Sequence, residues 1–145
     1  MKSFLIVTLT IIFLTACQQP LNKEKAKQEI YQTEKAFEQM CSEEGIQEAF
    51  YFFAHDSAVI KRQNDTLIIG KQNIKDYYSN PAYKNALVNW TPDFIDISND
   101  GTLAYTYGKY LWKIWNDTAD TTEYRGVFHT VWKRQPDNSW KYVWD

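Results

Sequence analysis

The chain has few of the residues that carry metal, redox or phosphate chemistry. Its 145 residues include two cysteines, two histidines and five glycines. The histidines lack the cysteine or carboxylate spacing of a metal site, and the glycines form no phosphate-binding loop. The 16 lysine and arginine residues form no basic block and are outnumbered by 18 aspartate and glutamate residues, which argues against binding to nucleic acid. We therefore expect no metal, no cofactor and no nucleic-acid partner.

Long apolar runs are also scarce, and the one that is present lies at the start of the chain. A short basic start precedes an apolar run over residues 4–14, which only threonines interrupt. A helix needs about 20 apolar residues to span a bilayer, so this run is too short. It ends in Leu14-Thr15-Ala16-Cys17, a small-residue cleavage site with a cysteine directly after it. This pattern resembles the lipobox of bacterial lipoproteins.

The resemblance to a lipobox implies a processed and acylated N terminus. Residues 1–16 would be a signal peptide that is removed, and Cys17 would carry the lipid that anchors the protein to a membrane. Residues 17–25 then form a polar tether, and we expect the protein in the bacterial cell envelope, on the periplasmic side of a membrane or at the cell surface. The alternatives are a plain secretory signal with an accidental cysteine and a buried N-terminal helix. With Cys17 acylated, Cys41 is the only thiol, so no intrachain disulfide can form.

Hydrophobic periodicity predicts helices first and strands later. Apolar residues at helical spacing predict a first helix over about residues 22–44, with Cys41 on its apolar stripe as a small core residue. A second short helix follows over residues 46–54, and His55-Asp56 closes it. Two short strands precede a third helix, which begins after Gly70. From residue 87 onward four strands are predicted, and Pro92 indicates an edge position or a bulge in the first of them. A hairpin signal follows at Asn99-Asp100-Gly101. The order ααββα followed by four strands indicates an α+β fold.

Several strings within this order resemble the nuclear-transport-factor-2-like superfamily, in particular the domain-of-unknown-function 4440 family, which is related to the SnoaL-like cyclases. The most specific strings are Val-Trp-Lys-Arg-Gln-Pro-Asp over residues 131–137 and Trp-Lys-Tyr-Val-Trp-Asp over residues 140–145. The resemblance implies one domain over residues 26–145 with a cystatin-like fold, a cone-shaped, curved and mostly antiparallel sheet packed by three N-terminal helices. It also implies a pocket inside the cone and a homodimer formed through the sheet.

A catalytic branch of this superfamily, the ketosteroid isomerases, uses a carboxylate base on the first strand and a tyrosine on the first helix. An ungapped count from the string Phe53-Ala54-His55-Asp56 places Lys61 at the base position and Phe37 at the tyrosine position. Lysine is not the expected carboxylate and phenylalanine lacks the hydroxyl, so we do not expect isomerase chemistry of that type.

The last predicted hairpin brings a candidate acid–base pair together. If Arg134 pairs with Trp140, then His129 pairs with Asp145, and both face one side of the sheet. The resemblance implies that this side is concave, so the carboxylate would orient the imidazole of His129 and raise its basicity. The predicted pocket residues are Phe37, Tyr105, Tyr107, Val127, His129, Val131 and Val143.

Three functions stay open. The first is a binding module that holds a small apolar or aromatic ligand in the cone. The second is a SnoaL-like enzyme (an isomerase, cyclase or hydrolase) that uses His129 with Asp145 or Tyr107. The third is a protein-interaction subunit that uses the outer face of the sheet. Alternation predicts four aromatic residues on that face: Trp132, Trp140, Tyr142 and Trp144.

Overall fold

The structure is a computed structural model that describes residues 22–115 and 120–145. Cys17 and the predicted signal peptide lie outside the described residues, so acylation and location stay predictions. No helix in the described part of the chain is long and apolar enough to cross a membrane. The helices are α1 (Lys23–Glu43), α2 (Ile46–Phe53) and α3 (Lys71–Tyr78), and the strands are β1 (Ala54–Arg62), β2 (Thr66–Ile69), β3 (Ala86–Ile97), β4 (Leu103–Trp115), β5 (Thr121–Arg134) and β6 (Trp140–Trp144). The predicted order of elements is confirmed.

The first helix is held by a cap at its start and by one buried stripe along its length. The side chain of Asn22 accepts a hydrogen bond from the backbone N–H of Lys25 at 3.0 Å, which satisfies one of the free N–H groups of the first turn. The buried stripe includes Ile30, Phe37 and Cys41. Burial raises the pKa of the Cys41 thiol, so this residue is an inert part of the core, as predicted.

The six strands form one sheet in the order β2-β1-β6-β5-β4-β3. Of the neighbouring pairs, β1 and β6 run parallel and the others run antiparallel. The three helices pack on one face of this sheet and bury the core against it. The predicted α+β fold with a mostly antiparallel sheet is therefore confirmed.

A β-bulge bends the long edge strand β3. The register of β3 against β4 shifts between Pro92 and Phe94, and Gly108 lies opposite Pro92. A Cβ atom at Gly108 would lie 2.3 Å from the backbone oxygen of Thr91, so only glycine fits at this close approach. The bulge that Pro92 predicted is present, and a bulge bends the strand that carries it.

The two faces of β4 and β5 are assigned the opposite way to the prediction. Ala104, Thr106 and Thr130 are buried beneath the helices, whereas Tyr105 and Tyr107 are exposed by 38% and 41% on the outer face. Trp132, Trp140 and Tyr142 were expected on the outer face but are buried in the core. Trp132 and Tyr142 pack edge to face with a ring-centroid distance of 6.2 Å. Three of the four aromatic residues predicted for the outer face therefore build the core, whereas the fourth, Trp144, is half-buried and pairs with Val131.

Candidate functional site

A cavity of about 520 Å³ lies between the helices and the concave face of the sheet. Its walls are mostly aromatic, with contributions from α1, α2, α3 and five of the strands. The main aromatic and aliphatic lining residues are Phe37, Phe50, Tyr78, Tyr83, Val88, Trp90, Tyr110, Trp112 and Phe128. Most of the charged and polar side chains in the walls fall into two clusters, one around Glu34 and one around Asp145, and Lys61 and Gln63 also line the cavity.

The first polar cluster surrounds Glu34, which is 1% exposed on the buried stripe of α1. The indole N–H groups of Trp90 and Trp132 donate to its carboxylate at 2.7 and 2.9 Å, and the hydroxyl of Thr106 donates at 2.5 Å. Burial raises the pKa of Glu34, and these three hydrogen bonds oppose the rise. Three elements, α1, β3 and the β4–β5 pair, are thus joined through one carboxyl group.

The second polar cluster joins the end of β1 to the end of the chain. The Nη2 group of Arg62 lies 2.8 Å from Oδ1 of Asp145, and the hydroxyl of Thr130 donates to Oδ2 of Asp145 at 3.1 Å. The Nε–H of Arg62 also donates to the hydroxyl of Tyr78 at 2.8 Å. The side chains of Arg62 and Asp145 are only 21% and 15% exposed, so this ion pair is partly shielded from water.

Main-chain hydrogen bonds fix Asp145 in this position. Its backbone N–H donates to the carbonyl of Val59 at 3.0 Å, and the N–H of Lys61 donates to the carbonyl of Asp145 at 2.8 Å. These bonds continue the parallel contact between β1 and β6 by one residue. These two hydrogen bonds therefore hold the carboxylate on the cavity side, beside Arg62.

Two tyrosines on the helix side of the cavity also share a hydrogen bond. The hydroxyl of Tyr83 donates to the hydroxyl of Tyr77 at 2.8 Å, and the ring of Tyr83 packs against Trp112 at 6.0 Å between centroids. Burial raises the pKa of both Tyr78 and Tyr83. These phenols stay protonated near neutral pH, so they present hydroxyl groups rather than charges to the cavity.

The predicted His129–Asp145 pair does not form. Arg134 pairs with Trp140 as predicted, but the register shifts by one residue further along, so that Val131 pairs with Trp144. The extra residue is at Val143, where the strand bulges. Asp145 is consequently displaced to the cavity side next to Thr130. His129 pairs with Tyr107 across β4 and β5, and its ring packs edge-on against Tyr105 at 6.0 Å.

The other predicted pocket residues divide between the two faces of the sheet. Phe37 lies in the cavity wall. Val127 and His129 belong to the part of β5 that borders the cavity, but their side chains lie on the outer face of the sheet. Val127 is 72% exposed there. Tyr105, Tyr107 and Val131 also lie on the outer face, because they alternate with the buried residues of the same strands.

The residues that sequence reasoning missed are those of the two polar clusters: Glu34, Arg62, Trp90, Thr106 and Thr130. A signal for Glu34 was present, because it lies four residues after Ile30 and three before Phe37 on the apolar stripe of α1. A carboxylate on such a stripe indicates a buried, hydrogen-bonded group. Within residues 22–115 and 120–145, no three histidine, cysteine or carboxylate side chains converge to hold a metal ion.

No family model and no curated protein matches this sequence. Solved structures do match it in fold. A nuclear transport factor 2-like superfamily protein from Salmonella enterica is 14% identical with a TM-score of 0.69, covering 83% of this chain and 88% of that one. A nuclear transport factor 2-like protein with a cystatin-like fold from Novosphingobium aromaticivorans is 11% identical with a TM-score of 0.68, covering 83% of this chain and 79% of that one. A ketosteroid isomerase-like protein from Erwinia carotovora is 12% identical with a TM-score of 0.66, covering 86% and 94%.

These likenesses define the class of fold. The chain has the nuclear-transport-factor-2-like, cystatin-like fold that the sequence resemblance implied. Proteins of this fold differ widely in what they do, so the particular function has to be argued from the cavity itself.

Proposed function

We propose that this chain is a lipid-anchored envelope protein whose domain holds a small, largely apolar or aromatic ligand inside the cavity. The observation that carries the proposal is the composition of the cavity walls, which are mostly aromatic and aliphatic and hold only a few charged or polar side chains. Cavities that bind small molecules commonly measure about 300–1,000 Å³ and combine apolar walls with a few fixed polar groups. The cavity volume of about 520 Å³ lies within this range.

The polar clusters favour a ligand without a net charge. Arg62 and Asp145 neutralise each other at 2.8 Å, and Lys61 in the lining pairs with Asp65 at 2.6 Å. The carboxyl oxygens of Glu34 already accept three hydrogen bonds from within the chain. A charged ligand would lose its hydration without finding a free counter-charge on these walls. A flat, neutral molecule would instead stack on the rings and find hydroxyl groups at Thr130 and the cavity tyrosines.

Binding ranks ahead of proton-transfer chemistry of the ketosteroid isomerase type. The neighbour from Erwinia carotovora is described as ketosteroid isomerase-like, but here the base position holds Lys61, which pairs with Asp65 at 2.6 Å. The tyrosine position holds Phe37, which has no hydroxyl. The chain therefore shares the fold of that neighbour, while these two positions lack the groups that isomerase chemistry needs.

We also propose that two copies of the chain associate through the outer face of the sheet. Five residues form an outer patch: Phe94, Tyr105, Tyr107, Val127 and His129. Phe94 and Tyr107 stack with ring centroids 5.1 Å apart, and four members of the patch are large apolar side chains that are 38–72% exposed. Exposed apolar patches of this kind mark interaction surfaces. Sedimentation of the purified chain should give a dimer mass, and a monomer at all concentrations would refute this part.

The anchoring part of the proposal is tested by metabolic labelling with a fatty acid. The wild-type chain should incorporate the label, and Cys17→Ser should not, because the thiol that accepts the lipid is gone. Cys41→Ser is the matched control and should keep the label, because the Cys41 thiol is buried. Equal labelling of wild type and Cys17→Ser would contradict acylation at this residue.

The binding part is tested by titrating the protein with a panel of flat aromatic and aliphatic compounds while recording tryptophan fluorescence. Trp90 and Trp112 line the cavity, so occupancy should change their emission. Compounds that bind wild type should lose affinity for Val88→Trp, which places a large ring inside the cavity. They should bind Leu103→Trp normally, because Leu103 is 44% exposed and outside the cavity lining. Equal affinities for the two variants would contradict the proposal.

A further inference from the structure

A second surface, away from the cavity, combines exposed aromatic rings with lysine side chains. We call it the basic aromatic face and define it by Tyr51, Phe52, Lys71, Lys75 and Lys141. The ammonium groups of Lys71 and Lys75 lie 4.4 and 4.5 Å from the ring centroid of Tyr51, and that of Lys141 lies 4.1 Å from the ring centroid of Phe52. Phe52 is 52% exposed near the end of α2, whereas Phe50 and Phe53 of the same helix are buried.

The basic aromatic face carries more positive than negative charge. Lys75 is neutralised by Glu48 at 3.0 Å. Among the described residues, Lys71 and Lys141 form no ion pair, and Lys133 is the cross-strand neighbour of Lys141. Lysines placed directly opposite each other repel. The whole chain has a net charge of −2, so this cluster of cations is a local exception.

The two carboxylates near Lys141, those of Asp137 and Glu29, form their hydrogen bonds and ion pairs with other groups. Asp137 accepts hydrogen bonds from the backbone N–H and the hydroxyl of Ser139 at 3.0 and 2.7 Å. Glu29, on the neighbouring part of α1, pairs with Arg134 at 2.7 Å. Burial and the charge of Lys71 lower the pKa of Lys141, and the charge of Asp137 opposes this shift. The Lys141 ammonium also donates a hydrogen bond to the carbonyl of Phe52 at 2.6 Å. Anions from outside the chain would relieve this repulsion.

A groove next to the face connects it to the start of α1. The groove has a volume of about 710 Å³, and Lys25, Phe52 and Lys141 are among the residues that line it. Lys25 belongs to the first turn of α1, so the groove borders the start of this helix. Five residue steps separate Cys17 from Asn22, and an extended chain of that length spans at most about 18 Å.

We propose that the basic aromatic face binds an anionic membrane surface, with Phe52 in the headgroup region and the ammonium groups of Lys71 and Lys141 on lipid phosphates. Aromatic rings and lysines are the side chains that favour the membrane interface, and each lysine near an anionic surface adds to binding. A basic patch adds to the attachment that acyl chains give. The role of the tether rests on the proposed acylation, but the contact itself does not.

The contact is tested without the lipid anchor. The chain from residue 17 onward with Cys17→Ser keeps every described residue, so it retains the complete core. Its binding to vesicles of phosphatidylglycerol and phosphatidylcholine is compared with binding to vesicles of phosphatidylcholine alone, by sedimentation at two salt concentrations. The test variant is Lys71→Gln with Lys141→Gln. The matched control is Lys84→Gln with Lys109→Gln, which removes the same charge from two exposed lysines elsewhere.

The proposal predicts binding that requires phosphatidylglycerol and weakens with salt. The test variant should bind about 25-fold more weakly, about fivefold for each lysine, and Phe52→Ser should also weaken binding. The control pair should stay near wild type. Equal loss in both pairs, or equal binding to both kinds of vesicle, would overturn the proposal. Binding to a polyglutamate peptide but not to vesicles would overturn it in favour of an acidic protein partner. Fatty-acid labelling of Cys17 decides the acylation separately.

Discussion

The two faces of the β4–β5 pair perform different tasks with alternate residues of the same strands. On the concave face, Thr106 and Thr130 are almost fully buried, and each donates a hydrogen bond to a carboxylate of the cavity. On the outer face, Tyr105, Tyr107 and His129 pack on one another in contact with solvent. A displacement of one residue along either strand would exchange these two sets.

The difference shows where polar groups are fixed by the fold and where they are free to meet a partner. On the concave face, the carboxylates of Glu34 and Asp145 have their hydrogen bonds within the chain. Removing either carboxylate should therefore lower the free energy of unfolding. On the outer face the side chains make few internal bonds, so their removal should be felt in association.

The largest expected effect is that of Glu34→Ala. This substitution leaves the indole N–H groups of Trp90 and Trp132 buried without an acceptor, and each unsatisfied donor costs free energy. We expect the free energy of unfolding to fall by about 3 kcal/mol, measured by urea denaturation. Glu43→Ala, at an exposed position of the same helix, should change it by less than about 0.5 kcal/mol. Equal effects would show that Glu34 does not organise the core.

A smaller loss is expected from Arg62→Ala. It leaves the Asp145 carboxylate and the Tyr78 hydroxyl without their donor in a partly shielded site. The free energy of unfolding should fall by about 2 kcal/mol. Arg125→Ala breaks an ion pair with Glu123 whose arginine is 70% exposed, and it should cost less than about 0.5 kcal/mol. A double-mutant cycle with Asp145→Asn should show coupling, and strict additivity would contradict the contact.

The pH dependence of stability sharpens the comparison, because only the concave face holds a carboxyl with a strongly perturbed environment. Burial raises the pKa of Glu34 above its ordinary value of 4.5. The unfolded chain titrates Glu34 near its ordinary pKa, and the folded chain titrates it at a higher pH. Between these two pH values the folded state binds more protons than the unfolded state, so the free energy of unfolding falls as the pH rises. Glu34→Gln cannot titrate and should lack this fall. Parallel pH profiles of the two proteins in urea denaturation would contradict the assignment.

The smallest effect on stability is expected from His129→Ala. Its side chain leaves on the outer face, so the free energy of unfolding should change by less than about 0.5 kcal/mol and ligand affinity should stay the same. The dimer should dissociate at a higher protein concentration than the wild-type dimer does, because the outer patch loses one ring. Thr130→Val, the adjacent residue, removes a hydrogen bond to Asp145 and should instead lower ligand affinity. Ligand affinity is measured by titration and dimer dissociation by sedimentation. The reverse pattern would show that the two residues are assigned to the wrong faces of the sheet.

Most of the fold could be predicted from the sequence because its signals are local. Helical spacing located α1, the turn at residues 99–101 located the β3–β4 hairpin, and Pro92 indicated the bulge. The boundaries were less accurate. His55 and Asp56 were expected to end the second helix but lie in β1, which begins at Ala54.

The site could not be predicted to the same extent, because it depends on register. The pairing of Arg134 with Trp140 was correct, but a single bulged residue at Val143 moved Asp145 from His129 to Thr130. Nothing in the local composition distinguishes a bulged strand from a regular one here. The partners of Asp145 also come from β1, more than 80 residues earlier in the chain, and such long-range contacts have no local signal.

The central claim, that the cavity holds a small molecule, is tested most directly by native mass spectrometry of the mature protein purified from its own host. We predict one additional small molecule for each wild-type chain, absent from Val88→Trp and retained by Leu103→Trp. An unliganded wild type that also binds none of the compounds in the panel would contradict the claim, and so would an identical added mass in all three proteins.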